Sequence, residues 1–269
     1  MIIRNLFATL ALALSTTAAA GHEFWIDPID FLVPSGAPVV ADIRVGQGYE
    51  GSASAWIPRN FRIFEIAQGD VRTPVEGRMG DRPALNQTAP DGLAIALHVT
   101  TDSRITWKEF QKFEDFVRHK DAEWTLAEHA ARGLPEADFS EAYSRYAKSL
   151  IAVGDGAGAD RDYGLLTELV ALANPYTDDL SGGFPVRLLY QGAPRADAQI
   201  EVFAKDEAGA VTISTVRTDA EGRAVVPVTP GTRYMLDAVV LREPSEALAA
   251  ERDVVWESLW ANLTFAVPR

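Results

Sequence analysis

The sequence predicts a mainly β protein, in which two β-sandwich regions of Ig-like type are separated by a short helical insertion. Short apolar runs alternate with polar residues in both halves of the chain, and turn residues recur between them at regular intervals. A central segment rich in Glu, Lys, Arg and Ala shows no such alternation. These observations favour sheets at both ends of the chain and helices between them.

Residues 1–20 have the pattern of a secretory signal peptide. Arg4 precedes an apolar stretch from Leu6 to Leu14, and small residues at 18–20 provide a cleavage site. A transmembrane helix needs ~20 consecutive apolar residues, and this stretch is shorter. We therefore expect the signal to be removed, the mature chain to be periplasmic, and no membrane span to remain.

The mature chain is long enough for two domains. Residues 21–180 are predicted to form an N-terminal β region that contains the helical insertion at about 108–148. Within the insertion, Phe110, Phe113 and Phe116 recur close to the helical period, and residues 133–135 interrupt it, so two or three short helices are expected.

Strand character returns after the insertion. Residues 149–153 and 165–172 are apolar and short, and they flank a loop rich in Gly and Asp whose acidic residues are better explained by turns than by a Ca²⁺ site. Residues 181–269 alternate with period two and contain turns such as Gln191-Gly192. This segment is predicted to be the C-terminal Ig-like β-sandwich.

Composition and motifs exclude several functions. The chain has no cysteine, so thiolate metal sites and Cys nucleophiles are ruled out. Its net charge of −13 repels phosphate backbones, so no nucleic-acid partner is expected. The sequence contains no G-x-S-x-G, Walker, Rossmann or H-E-x-x-H motif, and we predict a binding protein rather than an enzyme.

The predicted mature N-terminus places His22 beside a free amine, and three cleavage positions give three chelates. Cleavage before Ala20 gives Ala20-Gly21-His22, whose amine, two amide nitrogens and imidazole form the tetragonal set that suits Ni²⁺ or Cu²⁺. Cleavage before Gly21 leaves three such nitrogens. Cleavage before His22 lets its amine and ring chelate one ion as a histidine brace. The alternative to all three is a terminus that frays in solvent.

The other candidate metal ligands are His98, His119 and His129. His98 lies on a predicted strand, opposite its large apolar side chains, where it is expected to face either solvent or a site. His119 and Glu123 are spaced four residues apart on a predicted helix. This spacing allows either two ligands to one metal ion or an ordinary exposed pair on one helix face. His129 lies near the predicted end of a helix, where a histidine can stabilise the helix instead of binding a metal. Each of the three histidines therefore has a structural role as the alternative to metal binding.

Several segments of the chain resemble the DUF4198 family, whose members are grouped with periplasmic components of cobalt and nickel uptake systems. The segments are His22–Pro28, Val45–Gln47, Glu141–Leu150, Glu168–Val170 with Asn174-Pro175, Thr218–Arg223 and Trp256–Phe265. The resemblance implies a periplasmic β-sandwich protein that binds Ni²⁺ or Co²⁺, or assists their import. The resemblance implies that His22, as the N-terminal histidine, is a metal ligand. It does not identify any other residue as a ligand.

Two functions of different classes follow. The first is an accessory to Ni²⁺ or Co²⁺ uptake that binds the metal, with Cu²⁺ as an alternative, through the mature N-terminus and histidine and serves a membrane metal transporter. The second is a structural or partner-binding β-sandwich that needs no metal. An oxidative copper enzyme with a histidine brace would require a second histidine near His22 in space, which the sequence does not identify.

Overall fold

A computed structural model describes residues 22–269. The predicted signal peptide, residues 1–20, and Gly21 lie outside the described residues. Within residues 22–269, every helix is too short or too polar to cross a membrane.

Strands dominate the described chain, which confirms the mainly β fold class. The strands are, in chain order, β1 (Glu23–Pro28), β2 (Leu32–Val33), β3 (Pro38–Gln47), β4 (Glu50–Ser54), β5 (Phe61–Gln68), β6 (Val71–Pro74), β7 (Leu85–Thr88), β8 (Gly92–Thr100), β9 (Ser103–Trp107), β10 (Phe139–Val153), β11 (Thr167–Ala171), β12 (Phe184–Tyr190), β13 (Ala193–Pro194), β14 (Gln199–Lys205), β15 (Val211–Arg217), β16 (Arg223–Val226), β17 (Thr232–Arg242) and β18 (Trp256–Val267). The helices are α1 (Phe110–His119), α2 (Trp124–Ala131) and α3 (Glu246–Arg252), with a 3₁₀ turn at Pro58–Asn60.

A central sheet of ten strands forms the middle of the molecule. Its main path runs β15-β14-β17-β18-β10-β8-β5-β6, and β2 and β9 also pair with β10. The β10–β18 pair is parallel, whereas β17 and β18 are antiparallel. A sheet of β1, β3, β4 and β7 and a sheet of β11, β12, β13 and β16 complete the fold.

The two smaller sheets pack against opposite faces of the central sheet because side chains alternate along its strands. In β8, Leu93, Ile95 and Leu97 join the apolar core that also contains residues of β11, β12 and β16. Ala94 and Ala96 join the core that contains residues of β1, β3 and β7. On this second face β1 lies close to β10 and β18, where Thr264 Oγ1 donates to the Ile26 carbonyl at 2.7 Å.

The central sheet joins the two regions that the sequence separates at residue 180. That position lies between β11 and β12, and the sheet takes strands from both sides of it. The junction is the long β10–β18 ladder, which runs from the Glu141–Trp256 pair to the Ser149–Thr264 pair.

The helical insertion is shorter than predicted. Both of its helices end before Gly133, and residues 139–148 form the first part of β10 rather than a helix. The difference arises from Glu141, Arg145 and Lys148, which are charged yet buried in a central strand. The local pattern of such charged residues predicts an exposed helix face. It cannot reveal that they are buried, because the residues that neutralise them lie far away in sequence.

Candidate functional site

A row of polar side chains crosses three neighbouring strands of the central sheet. Glu201 of β14 is paired directly with Asp237 of β17, and Asp237 is paired directly with Asn262 of β18. Side chains at directly paired positions lie on the same face of a sheet. The three residues are 4%, 1% and 1% exposed. Two buried carboxylates side by side need a neutralising partner.

Lys120 supplies the neutralising charge. It follows the last residue of α1, and its Nζ contacts the Glu201 carboxylate, lies 3.2 Å from Asp237 Oδ2 and lies 3.7 Å from Glu23 Oε1. Its Nζ also lies 4.8 Å from the centre of the Trp260 ring. Burial alone would lower the pKa of Lys120, but the neighbouring carboxylates outweigh it and raise this pKa, so the ammonium group stays charged.

Glu23 and Arg145 attach the start of β1 to the row. Burial, and then the charge of Asp237, raise the pKa of Glu23 to about 7. Its Oε2 accepts a hydrogen bond of 3.0 Å from the main-chain N–H of Gly48. Arg145 Nη2 donates a hydrogen bond of 2.7 Å to the main-chain carbonyl of His22. The chain is therefore fixed in place from His22 onward.

We call these six residues the polar cluster: Glu23, Lys120, Arg145, Glu201, Asp237 and Asn262. Several of its buried atoms have no hydrogen-bond partner among residues 22–269, namely Asp237 Oδ1, Asn262 Oδ1, Asn262 Nδ2 and Arg145 Nε. Buried polar atoms in native proteins are nearly always bonded to protein or to ordered water. The polar cluster therefore has unused donors and acceptors in its interior.

His119 borders the polar cluster and is half-exposed. Its Nε2 lies 2.5 Å from Glu201 Oε1, and because a carboxylate only accepts, Nε2 carries the hydrogen. This hydrogen bond raises the pKa of His119. The predicted pairing with Glu123 does not form, because α1 ends at His119 and Glu123 bonds Arg118 instead.

His98 is enclosed by aromatic rings. Its ring centre lies 5.1, 4.7 and 4.9 Å from those of Phe24, Phe61 and Phe64, respectively. Burial lowers the pKa of His98 to about 3, so the ring is neutral near neutral pH. Neither nitrogen has a hydrogen-bond partner among the described residues.

Both ring nitrogens of His129 are used within the protein. Nδ1 accepts a hydrogen bond of 3.0 Å from Trp256 Nε1, so Nε2 carries the hydrogen and donates to the Pro135 carbonyl, also at 3.0 Å. The residue is 1% exposed and lies in the last turn of α2, where the sequence predicted a structural role. The structure therefore leaves it no free lone pair.

The four predicted ligands are thus divided among three places. His98 and His129 lie in separate aromatic surroundings. His22 is attached to the polar cluster by its main-chain carbonyl, which accepts from Arg145, and His119 by its ring, which donates to Glu201. Within residues 22–269, no three His, Asp or Glu side chains are grouped so that they could hold a metal ion. Any chelate at this site therefore needs main-chain nitrogens as well.

The acidic and amide members of the polar cluster are not among the four histidines that the sequence predicts as ligands. Glu201, Asp237 and Asn262 each stand between two apolar residues of a strand, as in Ile200-Glu201-Val202. A single polar residue inside an apolar strand run is a usable signal, since it is costly unless a partner is present. Lys120 carries no comparable signal, because it lies among other charged residues.

Comparison with known proteins gives one family. Residues 19–242 match the model of a domain of unknown function, DUF4198. No curated protein and no solved structure matches the chain. The match covers more than half of the chain and includes the start of β1 and most of the central sheet. The chain belongs to the DUF4198 family.

Proposed function

We propose that the processed protein is a periplasmic binding protein for a late first-row transition metal, Ni²⁺ or Co²⁺ with Cu²⁺ as an alternative. In this proposal the ion is held by the mature N-terminus at His22, with His119 as the second imidazole. The observation that carries the proposal is that one polar cluster contacts both residues: Arg145 bonds the main-chain carbonyl of His22, and Glu201 bonds the ring of His119.

The hydrogen bonding of His119 supports its role as a ligand. A metal-binding histidine usually donates its second ring N–H to a carboxylate or carbonyl, which fixes the ring and its tautomer. His119 donates Nε2–H to Glu201, and its Nδ1 offers a lone pair to a metal once the proton favoured by the raised pKa has been displaced. His98 and His129 lack this combination of exposure and a free nitrogen.

The donor set also supports a late transition metal. Two imidazoles, a terminal amine and ionised amides are all nitrogen ligands, which suit Ni²⁺ and Cu²⁺ in tetragonal geometry. Hard cations such as Mg²⁺ and Ca²⁺ prefer oxygen ligands. The charges of the nearby Glu201 and Asp237 carboxylates are neutralised by Lys120. These carboxylates are therefore poor candidates for binding a hard cation.

The three cleavage positions assign different roles to His119. A chain beginning at His22 forms a brace of amine and imidazole, which requires a second imidazole from His119. A chain beginning at Gly21 supplies three nitrogens and leaves one position for His119. A chain beginning at Ala20 supplies four nitrogens, and His119 then contributes little to affinity.

The biological role that we propose is that of an accessory in Ni²⁺ or Co²⁺ uptake, which presents the ion to a membrane transporter. The net charge of −13 favours cations near the surface at low ionic strength. A metal bound at an exposed terminus, rather than in a closed interior site, suits transfer to a partner. His22 is exposed, while the residues that position it are buried.

Calorimetric titration of the processed protein with Ni²⁺, Co²⁺ and Cu²⁺ tests the proposal. Mass spectrometry first establishes the mature N-terminus and so selects among the three chelates. We expect one ion to bind per chain with micromolar or tighter affinity. His22→Ala and chemical acetylation of the terminal amine should each weaken binding strongly, because both remove a nitrogen that the chelate uses.

His129→Gln provides the matched control, since it changes a histidine outside the proposed site and should leave metal affinity unchanged. The proposal fails if the processed protein binds none of the three ions, or if His22→Ala and acetylation leave the affinity as it was. Either result favours the alternative function, a structural or partner-binding β-sandwich without metal.

A further inference from the structure

Two cations lie side by side on the central sheet, beyond the polar cluster. Lys205 of β14 is paired directly with Arg233 of β17. Both lie on the sheet face that carries Glu201 and Asp237, since each is four residues along its strand from the corresponding acid. Like charges at directly paired positions destabilise a sheet. The strand pair therefore carries an acidic pair at one position and a basic pair at another.

The two like-charged pairs differ in how they are neutralised. Lys120 is inserted between the acids. Within residues 22–269, neither Lys205 nor Arg233 has a carboxylate within ion-pair distance: Lys205 Nζ donates to the Tyr49 carbonyl at 3.4 Å, and Arg233 Nη2 donates to the Ile29 carbonyl at 3.2 Å. Asp27 provides a counter-charge that interacts with both cations through space without contacting either, so the basic pair lacks the direct ion pairs that the acidic pair possesses.

The basic pair opens into the pocket between β1, β4 and the β14 and β17 strands. The pocket has a volume of about 670 Å³ and is lined by both cations. Small-molecule sites commonly have volumes of roughly 300–1,000 Å³. Asp27 also lines it, but Arg44 Nε already pairs with this carboxylate at 2.7 Å. The cations therefore face a space large enough for an organic anion.

An aromatic wall borders the same pocket. The rings of Trp25 and Tyr49 meet edge to face with their centres 5.6 Å apart, and both residues are buried against Phe203 and Met235. Trp25 is 1% exposed, and its Nε1 has no acceptor among the described residues. Trp25 and Tyr49 therefore reach the pocket only by small exposed edges.

Acidic residues also line the pocket. Glu50 forms no ion pair with any residue in the range 22–269, and Asp206 accepts only main-chain N–H groups there. Glu207 is paired with Arg269. A phosphate would gain from the cations but would be repelled by these carboxylates. A molecule with one negative and one positive group matches both sets of charges.

We propose that this pocket binds a free amino acid or a similarly small zwitterion. Its carboxylate is held by Lys205 and Arg233, its ammonium group faces Glu50 and Asp206, and its remaining part lies beside the exposed edges of Trp25 and Tyr49. The site is separate from the proposed metal site, because Phe203 and Met235 stand between the acidic and basic pairs on their strands.

Thermal-shift screening followed by calorimetry tests this proposal on the processed protein, with a chelator present so that metal plays no part. Each standard L-amino acid is tested singly. We expect at least one to bind, and we expect its amide, which lacks the carboxylate, and its N-acetyl derivative, which lacks the ammonium group, each to bind at least about tenfold more weakly. These derivatives test the charges of the ligand without altering the protein.

Protein variants then locate the site. Lys205→Gln and Arg233→Gln should each weaken binding at least about tenfold, with circular dichroism confirming the fold. Lys112→Gln, which changes a partly exposed lysine of α1, should have no effect. His22→Ala should also leave amino-acid binding unchanged, which separates this proposal from the metal site.

Three outcomes would overturn the proposal. The first is that no amino acid binds. The second is binding that persists at full strength in Lys205→Gln and Arg233→Gln. The third is that inorganic phosphate binds in a manner that depends on both cations while no amino acid does, since the pocket would then be a simple anion site.

Discussion

Glu201 and Asp237 face each other at directly paired positions of β14 and β17, and the Nζ of Lys120 contacts both carboxylates. This contact connects the end of α1 to the middle of the central sheet. It also fixes the position of His119, which precedes Lys120 and donates to the same Glu201 carboxylate. The polar cluster thus combines a structural ion pair with a positioned imidazole.

Removing the ammonium group of Lys120 should destabilise the fold. Lys120→Met keeps most of the side-chain volume but leaves two buried carboxylates without their cation. Breaking a buried ion pair in this way typically costs about 3–5 kcal/mol. Denaturant unfolding measures the loss.

Lys112→Met is the matched control, because Lys112 lies on the same helix and pairs only with exposed Glu109. Its effect should lie within about 0.5 kcal/mol. Equal stability of Lys120→Met and wild-type protein would contradict the role given to Lys120.

His98→Phe should make the protein more resistant to acid. The folded-state pKa of His98 is about 3, below the ordinary value of 6.5, so the folded state binds fewer protons than the unfolded state between these values. Wild-type stability therefore falls as pH drops through this window, by about 3 kcal/mol at about pH 4. The variant lacks this loss.

Unfolding free energies of wild type and His98→Phe at about pH 7 and about pH 4 check this prediction. The difference between the two proteins should shift in favour of the variant at the lower pH. Because the ring is enclosed by phenyl groups, metal affinity should not change. A parallel pH profile for both proteins would show that His98 is not held neutral.

Glu141→Gln should stabilise the protein at alkaline pH. Burial raises the pKa of Glu141 from 4.5 to about 7, although Ser258 and Trp107 donate hydrogen bonds to its carboxylate. The folded state therefore binds more protons than the unfolded state between these values, and wild-type stability falls as pH rises. The loss is about 3 kcal/mol once the pH exceeds the folded-state pKa.

Glutamine resembles the protonated carboxyl group and does not titrate, so the variant should lack this contribution. Unfolding measured at about pH 5 and about pH 8 should show a smaller decline for Glu141→Gln than for wild type. Glu65→Gln serves as the control, because Glu65 pairs with Arg72 at a solvent-accessible position. Identical declines in wild type and Glu141→Gln would refute the prediction.

Periodicity predicted most of the fold, and it failed where long-range charge partners decide the structure. Alternation along β8 and β17 indicated strands, and the spacing of Phe110, Phe113 and Phe116 indicated α1. At the start of β10, charged residues interrupt the alternation that is typical of strands, and the composition therefore predicts helix. Lys148 is instead buried between Asp160 and Glu168, with 2.8 Å to each carboxylate, in contacts that only the folded chain brings together.

The candidate site was predictable by residue type but not by arrangement. The cleavage-site pattern pointed to His22, and the scarcity of histidine pointed equally to His98, His119 and His129. Exposure and hydrogen bonding distinguish His119 from the other two, and both depend on tertiary packing. The pairing of Glu201 with Asp237 depends on strand register between β14 and β17, which local patterns do not specify.

Arg145→Met should weaken metal binding without removing a ligand. Arg145 holds the His22 carbonyl at 2.7 Å and so positions the proposed chelate. Residues that orient ligands typically affect metal affinity by about 10–100-fold. Calorimetric titration should show weaker binding with one ion per chain retained, and unchanged affinity would indicate that the terminus needs no such anchor.

A double-mutant cycle on metal affinity tests most directly whether His22 and His119 hold the same ion. His22→Ala, His119→Gln and the double variant are titrated with Ni²⁺ after mass spectrometry has established a mature terminus at His22 or Gly21. We predict that His119→Gln weakens binding in the wild-type background and has little further effect once His22 is replaced. Unchanged Ni²⁺ affinity in both single variants, or fully additive losses, would contradict a shared site.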